Sequence, residues 1–186
     1  MFLGAEVGLN SITSYNLGEP NKSFQGGFVA EYYFGNNWSL LGKLKYFETG
    51  VSFFKNGTNG TFLSSETKAL IFKGSVLSLP ICMNWNYKYF AKLKGNIKCG
   101  LAYNFETKSN YELATNIGTN IPKSFGSFTV GFGLQYIANK KTILFIDVDT
   151  NLLGGFKGTD DGFFFAKSYY TTNNLLSIGI KHNFKK

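Results

Sequence analysis

The sequence of 186 residues predicts an all-β fold: one domain, residues 1–186, forming an eight-stranded antiparallel up-and-down transmembrane β-barrel. Short periplasmic turns and long extracellular loops are expected at its two ends. Three observations carry this expectation. Eight segments alternate apolar and polar residues with period two, as a strand with two unlike faces does. Short and long connections alternate strictly along the chain. The apolar faces are bulky and aromatic, while the opposite faces are small, polar or charged.

Composition supports the first point. Aromatics reach 18% and charged residues only 16%, a mix that opposes disorder. The 22 glycines, with many Phe, Tyr, Thr and Asn, are poor helix formers but suit strands joined by turns. No apolar run reaches the roughly 18 residues of a transmembrane helix. The start, MFLGAEVGLN, lacks a basic leader and carries Glu6 early. The chain is therefore expected to be a mature form whose export signal has been removed.

The elements follow in order. Leu3, Ala5, Val7 and Leu9 oppose Glu6, Gly8 and Asn10. Phe24, Phe28, Ala30, Tyr32 and Phe34 oppose Gln25, Gly27 and Glu31. Trp38, Leu40, Leu44 and Tyr46 oppose Ser39, Lys43 and Lys45. Leu77, Leu79, Ile81, Met83 and Trp85 oppose Ser78, Pro80, Cys82 and Asn84. In the fifth segment Tyr89, Leu93, Ile97, Cys99, Leu101 and Tyr103 oppose Lys92, Lys94, Asn96, Lys98 and Asn104. Phe128, Val130, Phe132, Leu134 and Tyr136 oppose Ser127, Thr129, Gly131, Gly133 and Gln135. Leu144, Ile146 and Val148 oppose Asp147 and Asp149. Leu176, Ile178, Ile180 and Phe184 oppose Ser177, Gly179, Lys181 and Asn183. Pro80 lacks the N–H for a ladder bond and marks a bulge or local break.

Tight hairpin chemistry joins the segments at Gly35-Asn36-Asn37, near Asn86-Tyr87-Lys88 and at Ala138-Asn139-Lys140. The other links, near residues 11–22, 49–68, 106–123 and 151–172, are long and polar. In a meander all short turns then fall at one end. Phe34, Trp38, Trp85, Tyr89, Tyr136 and Phe184 flank that end and form an expected aromatic girdle of the kind that marks a membrane–water interface.

Two solvents can explain the two faces. An outer-membrane barrel turns its oily face to lipid. A soluble lipocalin-like barrel binding an apolar ligand turns it inward, with Phe28, Leu93, Phe132 and Ile178 lining the cavity. An eight-stranded lumen is only just wide enough for side chains. Small residues and paired charges fit it better than eight walls of aromatics. The membrane reading is therefore preferred. Its interior charge network is expected to hold Glu6, Glu31, Lys43, Lys45, Lys92, Lys94, Lys98, Asp147, Asp149 and Lys181, with a lysine surplus. Such buried charges must be paired.

Few residues suggest chemistry. His182 is the single histidine, and Ser177, five residues earlier, faces the other way. No catalytic residue, metal or cofactor is expected. Asp160 and Asp161 in GTDDG lack the spaced ligands of a calcium loop. The sequons of NGTNGT (Asn56–Thr61) read as turn residues. Lys22, Lys55, Lys73, Lys108, Lys123, Lys157 and Lys167, near the long loops, either clamp lipopolysaccharide phosphates or form a solvated rim. Nucleic acid is disfavoured: aromatics and lysines lie on opposite faces, so a base cannot stack while its phosphate pairs. Cys82 and Cys99 fall on opposite faces, so no disulfide is expected.

The stretch VLSLPICMNWNYKYFAKLKGNIKCGLAYNF (Val76–Phe105) resembles the central hairpin of the PorT-type outer membrane β-barrel family of Bacteroidota. The ending LLSIGIKHNF (Leu175–Phe184) resembles its last strand, and is similar to the assembly signal of OmpA- and OmpX-like barrels. Here Lys185 and Lys186 follow the terminal aromatic, a departure from that pattern. The resemblance implies the outer membrane of a Gram-negative bacterium, with outer membrane lipids, lipopolysaccharide and outer membrane or secretion-system proteins as partners. Some members of that family assist type IX secretion, and a place for this chain in a larger complex is one expectation, action alone the other.

Overall fold

The structure, a computed structural model, describes residues 1–14, 21–54, 68–113, 124–153 and 171–184. Eight strands appear in chain order: β1 (Phe2–Ser14), β2 (Asn21–Tyr33), β3 (Trp38–Phe54), β4 (Lys68–Lys88), β5 (Leu93–Leu113), β6 (Ser124–Ile137), β7 (Thr142–Leu153) and β8 (Thr171–Asn183). Each pairs antiparallel with its chain neighbours, and β8 returns to β1, closing the barrel. Closure leaves no free edge around the wall, the condition that lets backbone N–H and C=O groups in hydrocarbon find partners within the barrel.

The strands run further than the alternation does. β3 continues to Phe54, and β4 and β5 have 21 residues each. About 9–11 residues suffice to cross a bilayer. Past Phe47 and Phe105, in ETGVSFF and ETKSNYEL, polar and apolar residues no longer alternate cleanly, so the sequence pattern does not reveal the pairing.

The link between β4 and β5 is also displaced. It spans 89–92 instead of Asn86-Tyr87-Lys88. Asn86 looks like a turn residue but points inward. Its Nδ2 donates to Ser39 Oγ at 3.1 Å, and its Oδ1 accepts from Gln135 Nε2 at 3.2 Å. Tyr87 lies across its register partner Gly95, where a Cβ would overlap the ring. Both contacts hold the strand straight past the expected turn.

Pro80 keeps its place in the ladder to β5, opposite Ala102. Towards β3, pairing lapses between Gly42↔Ile81 and Lys45↔Ser78, then resumes in the same register. The missing proline N–H produces a local break there. Toward β5, the register shift lies at Ser75/Val76.

Large apolar side chains share the interior, contrary to the expectation of a small, polar inner face. Val29, Leu41, Cys82 and Phe145 form one buried cluster, and Phe47, Val76 and Leu175 another. A narrow lumen has to be filled. Glycines make the room: a Cβ on Gly179 would overlap the Phe145 ring.

Candidate functional site

Alternation sends one side chain in two from each strand into the lumen. By this rule β1 supplies Glu6, β2 supplies Glu31, β3 supplies Lys43 and Lys45, and β5 supplies Lys98. Asp147 and Asp149 come from β7, and Lys181 from β8. All eight are buried. They form two groups. Lys43 Nζ lies 2.9 Å from Glu6, 2.8 Å from Asp147 and 3.0 Å from Asp149. Lys45 bridges Glu6 at 2.8 Å and Asp149 at 3.0 Å. Lys98 reaches Asp147 at 2.6 Å and Asp149 at 2.8 Å. In the second group Lys181 pairs with Glu31. Ser39 Oγ and Asn84 Nδ2 donate to Glu31 Oε1 at 2.5 and 2.8 Å.

Among the described residues four buried carboxylates meet four buried ammonium groups, so that set is neutral. The expected lysine surplus is corrected. Lys92 is exposed, because the displaced turn puts it outside β5. Lys94 is half-exposed opposite Lys88, near that turn. Neutrality matters because an unpaired charge in a low-dielectric lumen is strongly destabilising.

Gly131 and Gly133 shape the cluster. A Cβ on Gly131 would strike Asp149 Oδ1, and one on Gly133 would strike Asp147 Oδ1. The bare backbone of β6 lets both aspartates lie flat against it. Between the two groups, a cavity of about 10 Å³ is lined by residues including Glu31, Asn84, Asn96, Lys98, Asp147 and Lys181. That is room for about one water. Asn84 Oδ1, Asn96 Oδ1 and Asp147 Oδ1, on residues lining it, lack a hydrogen-bond donor from the protein, and the two O–H groups of one water can serve two of them.

The outer wall is the reverse. Phe24 is 83% exposed, Phe28 69%, Leu101 68% and Phe132 61%. Such a contiguous apolar surface needs a non-aqueous neighbour. The lipocalin arrangement does not hold. Phe28, Phe132 and Ile178 face outward, Leu93 is half-exposed, and the lumen holds charge. Phe34, Trp38, Trp85, Tyr89, Tyr136 and Phe184 are all exposed around the short-turn end. Phe90, in the turn itself, joins them at 71% exposed. Tyr87 packs between Trp85, tilted at a centroid distance of 5.2 Å, and Tyr89, edge-on at 5.0 Å.

His182 and Ser177 do not meet. His182 Nδ1 is 3.1 Å from Thr142 Oγ1 and its ring packs edge-on to Phe184. Ser177 is inside, where its Oγ accepts from Gln25 Nε2 at 2.6 Å. Cys82 is buried, Cys99 is exposed, and both are free. Lys22 and Lys108 are exposed near the long connections. The sequence motifs NGTNGT and GTDDG, with Lys55, Lys123, Lys157, Lys167 and the Lys73 side chain, lie outside the described residues.

No protein-family model matches the chain, and no curated protein matches it. Solved structures do. Neisserial surface protein A (NspA) aligns with a TM-score of 0.61 at 15% identity, over 98% of this chain and 96% of that one. The outer membrane protein OprG from Pseudomonas aeruginosa aligns with a TM-score of 0.57 at 11% identity, over 100% and 96%. At such identities the likeness concerns the fold. Together with the oily outer wall and the charged, sealed lumen, it makes this chain an eight-stranded transmembrane β-barrel of the bacterial outer-membrane type.

Proposed function

We propose a structural and interaction role: the barrel anchors a surface, built at its long-connection end, that engages lipopolysaccharide or partner proteins. The carrying observation is the excess length of β3, β4 and β5. β3–β4 pairing continues to Phe54↔Lys68 and β4–β5 pairing to Leu70↔Leu113. Yet β2 pairs with β3 only as far as Phe47, and β6 with β5 only as far as Phe105. A three-stranded ribbon therefore stands beyond the wall. The filled, neutral lumen supports placing the role on this end rather than in a pore, and the separation of His182 from Ser177 supports a non-enzymatic role.

On the same reading the chain is a PorT-type barrel of Bacteroidota, acting alone or as one subunit of an outer membrane or secretion complex. The Val76–Phe105 hairpin and the Leu175–Phe184 ending support this assignment.

The test shortens the ribbon. Val51 and Phe72 are register partners, so residues 52–71 can be replaced by an Asn-Gly turn. The variant is expected to keep heat-modifiable gel migration. It should lose binding to purified lipopolysaccharide and the proteins that co-purify from native membranes. Unchanged recovery of both would overturn the proposal.

A further inference from the structure

The chain carries a net charge of +8. The buried charges cancel. Toward the long connections, lysines outnumber acidic residues by one. No Asp or Glu occurs in the segments Phe34–Leu41, Cys82–Phe105 or Leu134–Ile146, which bracket the three short turns. Lys88, Lys92, Lys140 and Lys141 are exposed there, with Lys94 half-exposed. In the sequence Lys185 and Lys186 follow Phe184 and lie outside the described residues. Among the described side chains Lys22 and Lys108 are balanced by Glu48 and Glu106, so the surplus charge sits at the short-turn mouth.

Its distribution is one-sided. The β4–β5 and β6–β7 turns hold these lysines, whereas Gly35-Asn36-Asn37 holds none. The two basic turns are tied to neighbouring strands. The Lys92 carbonyl accepts from the Ile137 N–H at 2.8 Å, and the Lys141 carbonyl from the Asn183 N–H at 2.8 Å. Those bonds fix the turn backbones in place along an arc from β4 to β8. The arc adjoins the exposed aromatics Trp85, Tyr89, Phe90, Tyr136 and Phe184. Trp and Tyr settle at headgroup depth. Ammonium groups beside them meet lipid phosphates without competition from a carboxylate.

We propose that this basic arc is a binding surface for anionic phospholipid in the periplasm-facing leaflet. Charge complementarity and aromatic depth select this occupant. The surface is independent of the ribbon at the other end. It gives the barrel a selective lipid annulus on one side of its circumference.

The two tryptophans of the chain make a local probe. Trp38 and Trp85 are register partners at this end. The barrel is reconstituted in vesicles containing either brominated phosphatidylglycerol or brominated phosphatidylcholine at equal mole fraction, and tryptophan quenching is compared. Wild type should show stronger quenching by phosphatidylglycerol at low salt, with the preference fading as NaCl rises. Each lysine removed should lower the relative binding constant by up to about fivefold. The variant K88Q/K92Q/K140Q/K141Q should lose the preference, and K22Q/K108Q at the opposite end should keep it. The wild-type salt titration needs no variant, so a folding failure cannot obscure the result. Equal quenching by the two lipids in wild type would overturn the proposal and leave a solvated rim. So would a preference that resists salt, one that survives the fourfold substitution, or one that K22Q/K108Q abolishes.

Discussion

Lys43 is the hub of the buried network, and its removal has a calculable consequence. Its ammonium touches Glu6, Asp147 and Asp149, all within 3.0 Å. At an effective dielectric near 20, each contact has a gross attraction of roughly 5–6 kcal/mol. Desolvation of the four groups offsets most of that. What remains decisive is balance. Lys43→Met keeps an unbranched side chain, one heavy atom shorter and uncharged, and leaves Lys45 and Lys98 facing three carboxylates. Breaking a buried pair by removing one partner costs about 3–5 kcal/mol. Against a total stability of about 5–15 kcal/mol, this is a large fraction. The assay is equilibrium urea unfolding in lipid vesicles, followed by tryptophan emission and gel migration. Adding Asp149→Asn restores neutrality, so the double variant should be more stable than the two single losses sum to. A K43M variant within about 0.5 kcal/mol of wild type, or strict additivity with D149N, would refute the claim that charge balance governs the lumen.

Two further outcomes are expected. Phe132→Arg puts a charge on the lipid-facing wall, where Phe132 pairs with Ile97 and Val148. It should cost about 2–4 kcal/mol near the bilayer midplane and reduce the heat-modifiable fraction; unimpaired assembly would contradict a lipid-facing position. Gly133→Ala should cost about 1–3 kcal/mol by displacing Asp147 from Lys43 and Lys98. The same unfolding assay reads it, and a wild-type midpoint would show that Asp147 has room to move.

Much of the fold was legible because a two-solvent wall imposes a two-residue period. Phe28 beside Gly27, or Ile146 beside Asp147, leaves little ambiguity. The inner apolar residues were hidden for a specific reason. Val29 follows Phe28, Leu41 follows Leu40, Phe47 follows Tyr46, and Phe145 sits between Leu144 and Ile146. In such runs both faces are apolar, and alternation cannot say which residue packs the lumen. The runs themselves were the available signal. The exposure of Lys92 is hidden in the sequence for a different reason. Its parity is right, but Asn86 resembles a turn residue, and only its bonds to Ser39 and Gln135 show that the strand continues.

The sequence by itself determined the number of strands and their order, through local alternation and link length, and which face meets hydrocarbon, through side-chain size set against a narrow lumen. Tertiary structure alone decided which charges meet. Lys43 and Asp149 are far apart in the chain and on strands that are not neighbours, and only closure of the cylinder brings them across the lumen. Closure also turned a diffuse excess of lysine into a neutral interior and one basic mouth, since a sealed low-dielectric space tolerates ions only in matched numbers.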